Sequence, residues 1–383
     1  MKKIRVGDAC EILNGYAFKS EKYVASGIRV IRIANVQKGY VEDTDPAFYP
    51  EDYLGIDKYM LKEGDLLMSL TGNVGRVAIL QKEMLPAALN QRVACLRIKN
   101  SGLSKGYLFH FLNSDYFENK CVHASKGVAQ KNVSTEWLKE YEIPLYPKEE
   151  QTEIENILDK LSLIIIHRKE ELNQLDNLIK ARFVEMFGDI QSEEKYKNIK
   201  LKEICNTVSG GTPSTRISEY YNGEIPWITT VSLGDNYING VGAKAYITKS
   251  AIDNSATKLI PAGNILFGTR VGVGKSSINM VDLCTNQDIV AIIDIDTNKF
   301  DRLFIKHVLD MNQPYYDSLK KGATILGITS EDLKDSIIPN VPIEVQNKFS
   351  EFVLQIDKSK VEVKKALDEA QLLFDSLMQK YFG

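Results

Sequence analysis

Two stretches of the chain repeat one pattern of apolar and polar positions. From Glu149 to Phe187, and again from Glu344 to Phe382, 39 residues run without a glycine or a proline. In the first stretch, one row of positions seven apart reads Ile154, Leu161, Arg168, Leu175, Arg182, and a second reads Leu158, Ile165, Leu172, Ile179, Met186. Adding 195 to each number gives Phe349, Ile356, Val363, Ala370, Leu377 and Val353, Lys360, Leu367, Phe374, Tyr381. Rows that stay mostly apolar for about five heptads predict a coiled-coil seam. Pro147 and Pro342 precede the stretches and Gly188 and Gly383 follow them, the expected punctuation of a helix start and stop. As a single helix each stretch would span about 58 Å, too long for a helix packed inside an ordinary small domain. The pattern therefore predicts two long helices paired antiparallel, with Arg168, Arg182 and Lys360 as polar interruptions of the seam. The alternative is two amphipathic helices, each packed on its own domain. Leu163, Ile164 and Ile166 carry apolar surface beyond the seam. A helix apolar on every side is covered on every side, here by the globular parts of the chain or by a partner protein.

The repeat extends beyond the helices to nearly the whole chain, so it is a duplicated domain. Val6–Ile12 leads to a turn at Asn14-Gly15, and Leu201–Val208 leads to Gly210-Gly211-Thr212-Pro213. A short strand follows each turn (29–33, 225–229), then a polar stretch rich in Tyr and Asp. Alternation and glycines next predict a hairpin in each copy, over 63–80 and 262–278. Asn90-Gln91 and Asn286-Gln287 each open a further strand. Short helices are expected at Gly106–Asn113 and Leu303–Met311, followed by Lys-Gly loops at Lys126-Gly127 and Lys321-Gly322. Ser134 and Thr329 read as caps of one more short helix each, and Ile-Pro pairs at 143–144 and 338–339 lead into the long helices.

Composition adds limits. At 383 residues, 26% charged and 44% hydrophobic, the chain reads as ordinary and globular, with room for two or three domains. No apolar run approaches a membrane span and the N-terminus has no apolar signal region, so a cytoplasmic protein is expected. Net charge is −3, of which the two long stretches carry −4 and −1, leaving +2 for the rest. The globular parts are thus mildly basic, and local basic faces are what phosphate contact requires. Cys10 and Cys205 occupy equivalent places in the repeat and read as small buried residues. The four histidines show no metal-ligand spacing, and no metal is expected.

Candidate chemistry is sparse. Gly272-Val-Gly-Lys-Ser-Ser277 looks like the end of a phosphate-binding loop, but the full pattern needs a glycine where Thr269 stands. Arg76 and Lys275, each after a glycine at equivalent places, are either solvated hairpin charges or phosphate contacts. The Lys-Gly loops share a frame and differ between. They are turns before a helix cap, or recognition loops in which Gln130, Lys131 and Asn132 meet base edges. Asn90-Gln91 and Asn286-Gln287 are strand-opening hydrogen-bonders or base readers, and Trp227 is a core residue. No segment reads as a nucleophile set, a dinucleotide loop or a methyltransferase motif, so no covalent chemistry is expected.

The repeated order of these motifs resembles the specificity subunit of type I restriction–modification systems, over essentially the whole chain. The carriers are Gly210-Gly211-Thr212-Pro213 with Ile225-Pro226-Trp227-Ile228, the two Asn-Gln pairs, the Lys-Gly loops, Ile-Pro-x-x-Pro at 143–147 and Glu150-Gln151. The second copy has Val345-Gln346 in place of Glu-Gln. The resemblance implies α/β (α+β) target recognition domains in two copies, joined by two long helices that pair as an antiparallel coiled coil, a pseudo-two-fold repeat. Residues 1–148 would be the first recognition domain, 149–188 the first spacer helix, 189–343 the linker and second recognition domain, and 344–383 the second spacer helix. Each domain would read a few base pairs of an asymmetric, bipartite double-stranded DNA target, and the coil would set the spacer. Two methylation subunits, carrying S-adenosylmethionine and the active site, would dock on the coil, with Leu163, Ile164 and Ile166 as docking residues. Restriction and translocation subunits would join them. The chain itself would hold no cofactor and no catalytic residue. By side-chain type, Lys19, Arg32, Asn35, Arg76, Lys126, Gln130, Lys131 and Asn132 would contact the first half-site. Thr212, Ser214, Arg216, Thr229, Arg270, Lys275, Lys320 and Lys321 would contact the second. The competing reading is a bivalent protein-binding scaffold, separable from DNA binding by the steep salt dependence of phosphate contacts.

Overall fold

Both apolar repeats form single helices, Lys148–Phe187 and Ile343–Phe382, in a computed structural model that describes residues 2–99, 102–125, 131–190, 195–322 and 326–383. Every one of the seam positions named above is buried or half-buried. The chain divides into two compact units, one of residues 1–170 with 364–383 and the other of 171–363. Each unit therefore owns one globular domain and a portion of both long helices.

Within the second unit the helix portions run antiparallel. Asp176 meets Lys360 at 2.7 Å, whereas further along the first helix Phe183 and Phe187 reach back to Phe349, ring centroids 5.4 and 5.5 Å apart. Lys360, a predicted interruption of the seam, is thus answered by a carboxylate on the opposite helix. The same portions also pack on the globular domain. Ile179, Phe183, Phe187, Phe349 and Val353 share a core with Phe267, Phe304, Tyr316 and Ile338. In the first unit Ile154, Leu158 and Phe382 share one with Met68, Tyr107, Phe111 and Ile143. The helices pair with each other and also dock on domains, so both sequence alternatives hold at different positions.

The two domains are built on one frame. In the first unit the strands Cys10–Asn14, Val93–Ile98, Leu66–Ser69 and Val77–Ile79 form an antiparallel sheet in that spatial order. A second sheet orders Phe48–Tyr49, Ile28–Ile31 and Ala87–Leu89. In the second unit the corresponding sheets are Asn206–Ser209, Ile289–Ile293, Ile265–Gly268, Ser276–Asn279, and Ala245–Ile247, Ile225–Ile228, Leu283–Thr285, with Tyr237–Ile238 and Leu259–Ile260 added at their edges. Trp227 is buried and its indole N–H donates to the Gly211 carbonyl at 3.0 Å. Because Lys275 leads into the strand Ser276–Asn279 and not into a helix, the glycine-lysine-serine run lacks the helix N-terminus that a nucleotide phosphate loop uses.

A buried glutamine ties each domain to its long helix. Gln151 accepts from Ser104 N at 2.8 Å and donates to the carbonyls of Gly102 and Tyr146 at 3.0 and 2.8 Å. Gln346 repeats this with Asp301 N, Lys299 and Val341 at 2.8, 2.9 and 2.7 Å. Ser104 and Asp301 in turn cap the helices Lys105–Leu112 and Arg302–Met311. Ser134 and Thr329 cap the helices Thr135–Glu140 and Ser330–Lys334.

Candidate nucleic-acid interface

Four backbone contacts recur at equivalent places in the two units and gather the loops that the sequence singles out. The turn after the first sheet strand closes on the Asn-Gln turn, with Tyr16 N donating to Leu89 O and Gly211 N to Thr285 O, both at 2.8 Å. The strand before it ends against the same turn, through Asn90 N to Ile31 O at 3.2 Å and Asn286 N to Ile228 O at 3.0 Å. The hairpin tip leans on it through Leu70 N to Arg92 O at 3.0 Å and Thr269 N to Asp288 O at 2.8 Å. The loop before the last short helix joins the tip, with Val133 N to Leu70 O at 2.9 Å and Ile328 N to Thr269 O at 2.8 Å. Among the described residues each unit therefore links glycine turn, Asn-Gln turn, hairpin tip and the end of the Lys-Gly loop into one ridge.

Glycine is required where these loops touch. A Cβ on Gly15 would lie 2.2 Å from the Asn90 carbonyl, and one on Gly210 would lie 2.2 Å from the Asn286 oxygen. No side chain fits there without moving the backbone. At the hairpin tips Gly75 and Gly274 have φ of +86° and +90°, a left-handed conformation that favours glycine. Ser69 N to Arg76 O and Gly268 N to Lys275 O then close the turns, which puts Arg76 and Lys275 in the same place.

The predicted contact residues fall into three groups. Arg76, Lys131, Asn132, Thr212, Arg270, Lys275 and Lys321 lie on the ridges, all exposed except the half-buried Arg76. Arg76 donates to the Gln37 side chain, and Thr212 Oγ1 donates to Gln287 Oε1 at 2.6 Å. Lys19, Ser214 and Arg216 are exposed on the loops that follow the glycine turns. The third group is engaged locally. Asn35 is buried, accepting from Arg32 N at 2.9 Å and donating to Glu42 O at 2.8 Å, so it shapes its own turn and does not face outward. Arg32 pairs with Asp45 at 3.0 Å and Lys320 with Asp317 at 2.5 Å; Thr229 is half-buried. Lys126 and Gln130 lie outside the described residues. The asparagines of the Asn-Gln turns also work locally: Asn90 Oδ1 accepts from Arg92 N at 3.2 Å, and Asn286 Nδ2 donates to Asp288 at 2.9 Å. Gln91 and Gln287 beside them are exposed. Arg92, exposed on the first ridge, escapes sequence reasoning because its counterpart is an aspartate, so no basic residue repeats there.

A further polar cluster lies inside the second unit. There a cavity of about 280 Å³ is lined by residues that include Asp176, Lys180, Lys306, His307, Asp310 and Lys360; Lys306 is answered by Asp310 and Lys360 by Asp176, each at 2.7 Å. Burial holds the His307 imidazole well below its ordinary range, helped by Lys306, and raises the Asp310 carboxyl. His307 Nε2 has no hydrogen-bond partner among the described residues. Its counterpart His110 meets Asp159 at 2.7 Å, a position filled in the second long helix by Leu354. Burial likewise pushes the Cys10 and Cys205 thiols up to about 12. Among the described residues no cluster of three or more His, Cys, Asp or Glu is placed to hold a metal, and no helix is long and apolar enough to cross a membrane. Leu163, Ile164 and Ile166 are 53%, 45% and 49% exposed, so the described residues leave about half of each uncovered.

Comparison with known proteins places these ridges in a family context. The model of the type I restriction modification DNA specificity domain matches twice, over residues 1–177 and 193–371. The specificity subunit of the type I restriction enzyme EcoAI from Escherichia coli is 34% identical over 162 residues, covering 41% of this chain and 27% of that subunit. This match thus spans about a quarter of the relative's length. The EcoBI specificity subunit from the same species is 24% identical over 414 residues, covering 99% of this chain and 85% of the relative. Among solved structures, the S subunit of a type I restriction-modification system from M. genitalium has the same fold, with a TM-score of 0.61 at 16% identity over 100% of this chain and 96% of that one.

Proposed function

Since the chain belongs to the family of type I restriction modification DNA specificity domains, we propose that it is the sequence-reading subunit of a type I restriction–modification complex. Its two domains read the two halves of an asymmetric, bipartite duplex target. The long helices serve as spacer and as the platform for two methylation subunits, which bring S-adenosylmethionine and the active site. Restriction and translocation subunits complete the assembly, and the chain contributes recognition without chemistry of its own.

The observation that carries this reading is the ridge, built twice on one backbone frame and once within each family match. Exposed Arg, Lys, Asn and Gln held on glycine-dependent loops suit phosphate oxygens and base edges. The test is the salt dependence of duplex binding by the chain assembled with its methylation partner. Binding should weaken steeply between about 50 and 200 mM salt. Replacing Arg76 and Lys275 by alanine should lower the log–log slope by about one for each phosphate that is no longer neutralised. Binding indifferent to salt would overturn the assignment.

A further inference from the structure

The two ridges share their frame and invert a charge on it. Leu70 N donates to Arg92 O in the first unit, as Thr269 N does to Asp288 O in the second. Arg92 and Asp288 therefore hold the same position, immediately after Gln91 and Gln287. Around them the frame keeps its residue types: Asn90 and Asn286, Gln91 and Gln287, Gly75 and Gly274, Arg76 and Lys275. Arg92 is exposed and has no ion pair among the described residues. Asp288 is largely buried, its side chain 19% exposed; it accepts from Asn286 Nδ2 at 2.9 Å and faces Arg270 Nη1 at 3.8 Å. Arg270 stands where the first unit has Thr71.

We propose that this position is where the two half-sites are told apart: Arg92 reads a guanine directly in the first, and in the second Asp288 is the positioning residue that aims Arg270 at its base. The inference rests on the DNA reading above. Residues common to both ridges suit what every duplex offers, the phosphate backbone, while sequence is carried by side chains that differ on a fixed frame. An unpaired arginine on such a frame presents the fork that matches guanine O6 and N7. A carboxylate facing DNA is repelled by phosphates unless a cation answers it, and Arg270, at ion-pair distance of 3.8 Å, is the cation placed to do so.

The experiment is the methylation motif produced on a randomised duplex library by the complex with its methylation partner. Six versions are compared: wild type, Arg92→Ala, Arg92→Lys, Arg270→Ala, Asp288→Asn and Arg76→Ala. Arg92→Ala should lose discrimination about tenfold or more at one guanine of the first half-site, leaving the second unchanged. Arg92→Lys, which keeps the charge without the fork, should relax the same base, separating reading from folding. Arg270→Ala and Asp288→Asn should relax one and the same base of the second half-site. Arg76→Ala should reduce methylation without altering the motif. A wild-type motif that survives Arg92→Ala intact, or Arg270 and Asp288 variants that relax different positions, overturns the assignment alone. A wild-type complex that marks no split motif overturns the DNA reading, and this assignment with it.

Discussion

At the scale of single residues, the repeat exchanges donors and acceptors while keeping the bond. Ser104 Oγ donates to Glu155 at 2.5 Å in the first unit, and Ser350 Oγ donates to Asp301 in the second. Cap and helix residue have swapped roles, hydroxyl for carboxylate. Ser104→Asp would therefore set two carboxylates against each other and should cost about 1–3 kcal/mol in chemical denaturation. Adding Glu155→Ser should recover most of that loss, a coupling that a double-mutant cycle measures. Histidine makes a second contrast. His307 is buried with its pKa depressed, so the folded state refuses a proton that the unfolded state binds below about pH 6.5. Stability contributed by the neutral ring is full above that pH and is lost as pH falls toward the folded value. The raised carboxyl of Asp310 acts in the opposite direction, so the informative quantity is a difference. Between about pH 6.5 and 5 the melting temperature of wild type should fall more than that of His307→Gln. Parallel pH profiles would contradict the assignment of a neutral buried ring. None of this is legible in the sequence, where His110 and His307 carry no signal; their equivalence needs the caps at Ser104 and Asp301 to set the offset.

At the scale of elements, the heptad rows locate both long helices because length and uninterrupted periodicity are strong signals. They are less informative near the helix end. Arg182 and Met186 hold the nominal seam positions, yet the deeply buried residues are Phe183 and Phe187, in line with Ile179 at intervals of four. A straight helix drifts away from a strict seven-residue repeat, and here the drift turns the phenylalanines into the domain core. Phe183→Ala should cost about 3–5 kcal/mol, whereas Leu163→Ser, on an exposed position, should stay within about 0.5 kcal/mol; thermal denaturation distinguishes the two. The glutamine clamp is half legible. Glu150-Gln151 stands out as a motif, and Val345-Gln346 reads as a departure from it. In the structure the common element is the glutamine: Gln151 and Gln346 each join helix and domain through three hydrogen bonds. Gln346→Ala leaves buried backbone groups unpaired and should destabilise the second unit by about 3 kcal/mol, read by hydrogen exchange in the strands 265–268 and 289–293.

At the scale of the molecule, the candidate site is readable as a set of motifs and unreadable as a surface. Glycine turn, Asn-Gln pair, hairpin and Lys-Gly loop are each visible in the chain, but only the paired backbone contacts bring them onto one ridge. Side-chain type alone picks out Asn35, which is buried in its own turn, and passes over Arg92, which is exposed. The exposed apolar run on the first long helix is also unevenly repeated. Ile166 is matched by Val361, but Leu163 and Ile164 are matched by Lys358 and Ser359. If methylation subunits dock there, the two copies meet different surfaces. Replacing Leu163 and Ile164 by serine should then weaken capture of one copy and spare the other, seen as a shift from two to one methylation subunit per chain in native mass spectrometry. Equal loss of both would count against docking at this run. In the proposed function, two domains of one chain read two halves of one DNA target. This reading is tested most directly by mapping base modification across the host genome by long-read sequencing, with this gene intact and deleted and the methylation partner expressed in both. Deletion should remove one asymmetric, split, adenine-methylated motif and leave every other motif in place. An unchanged set of modified motifs would contradict that reading.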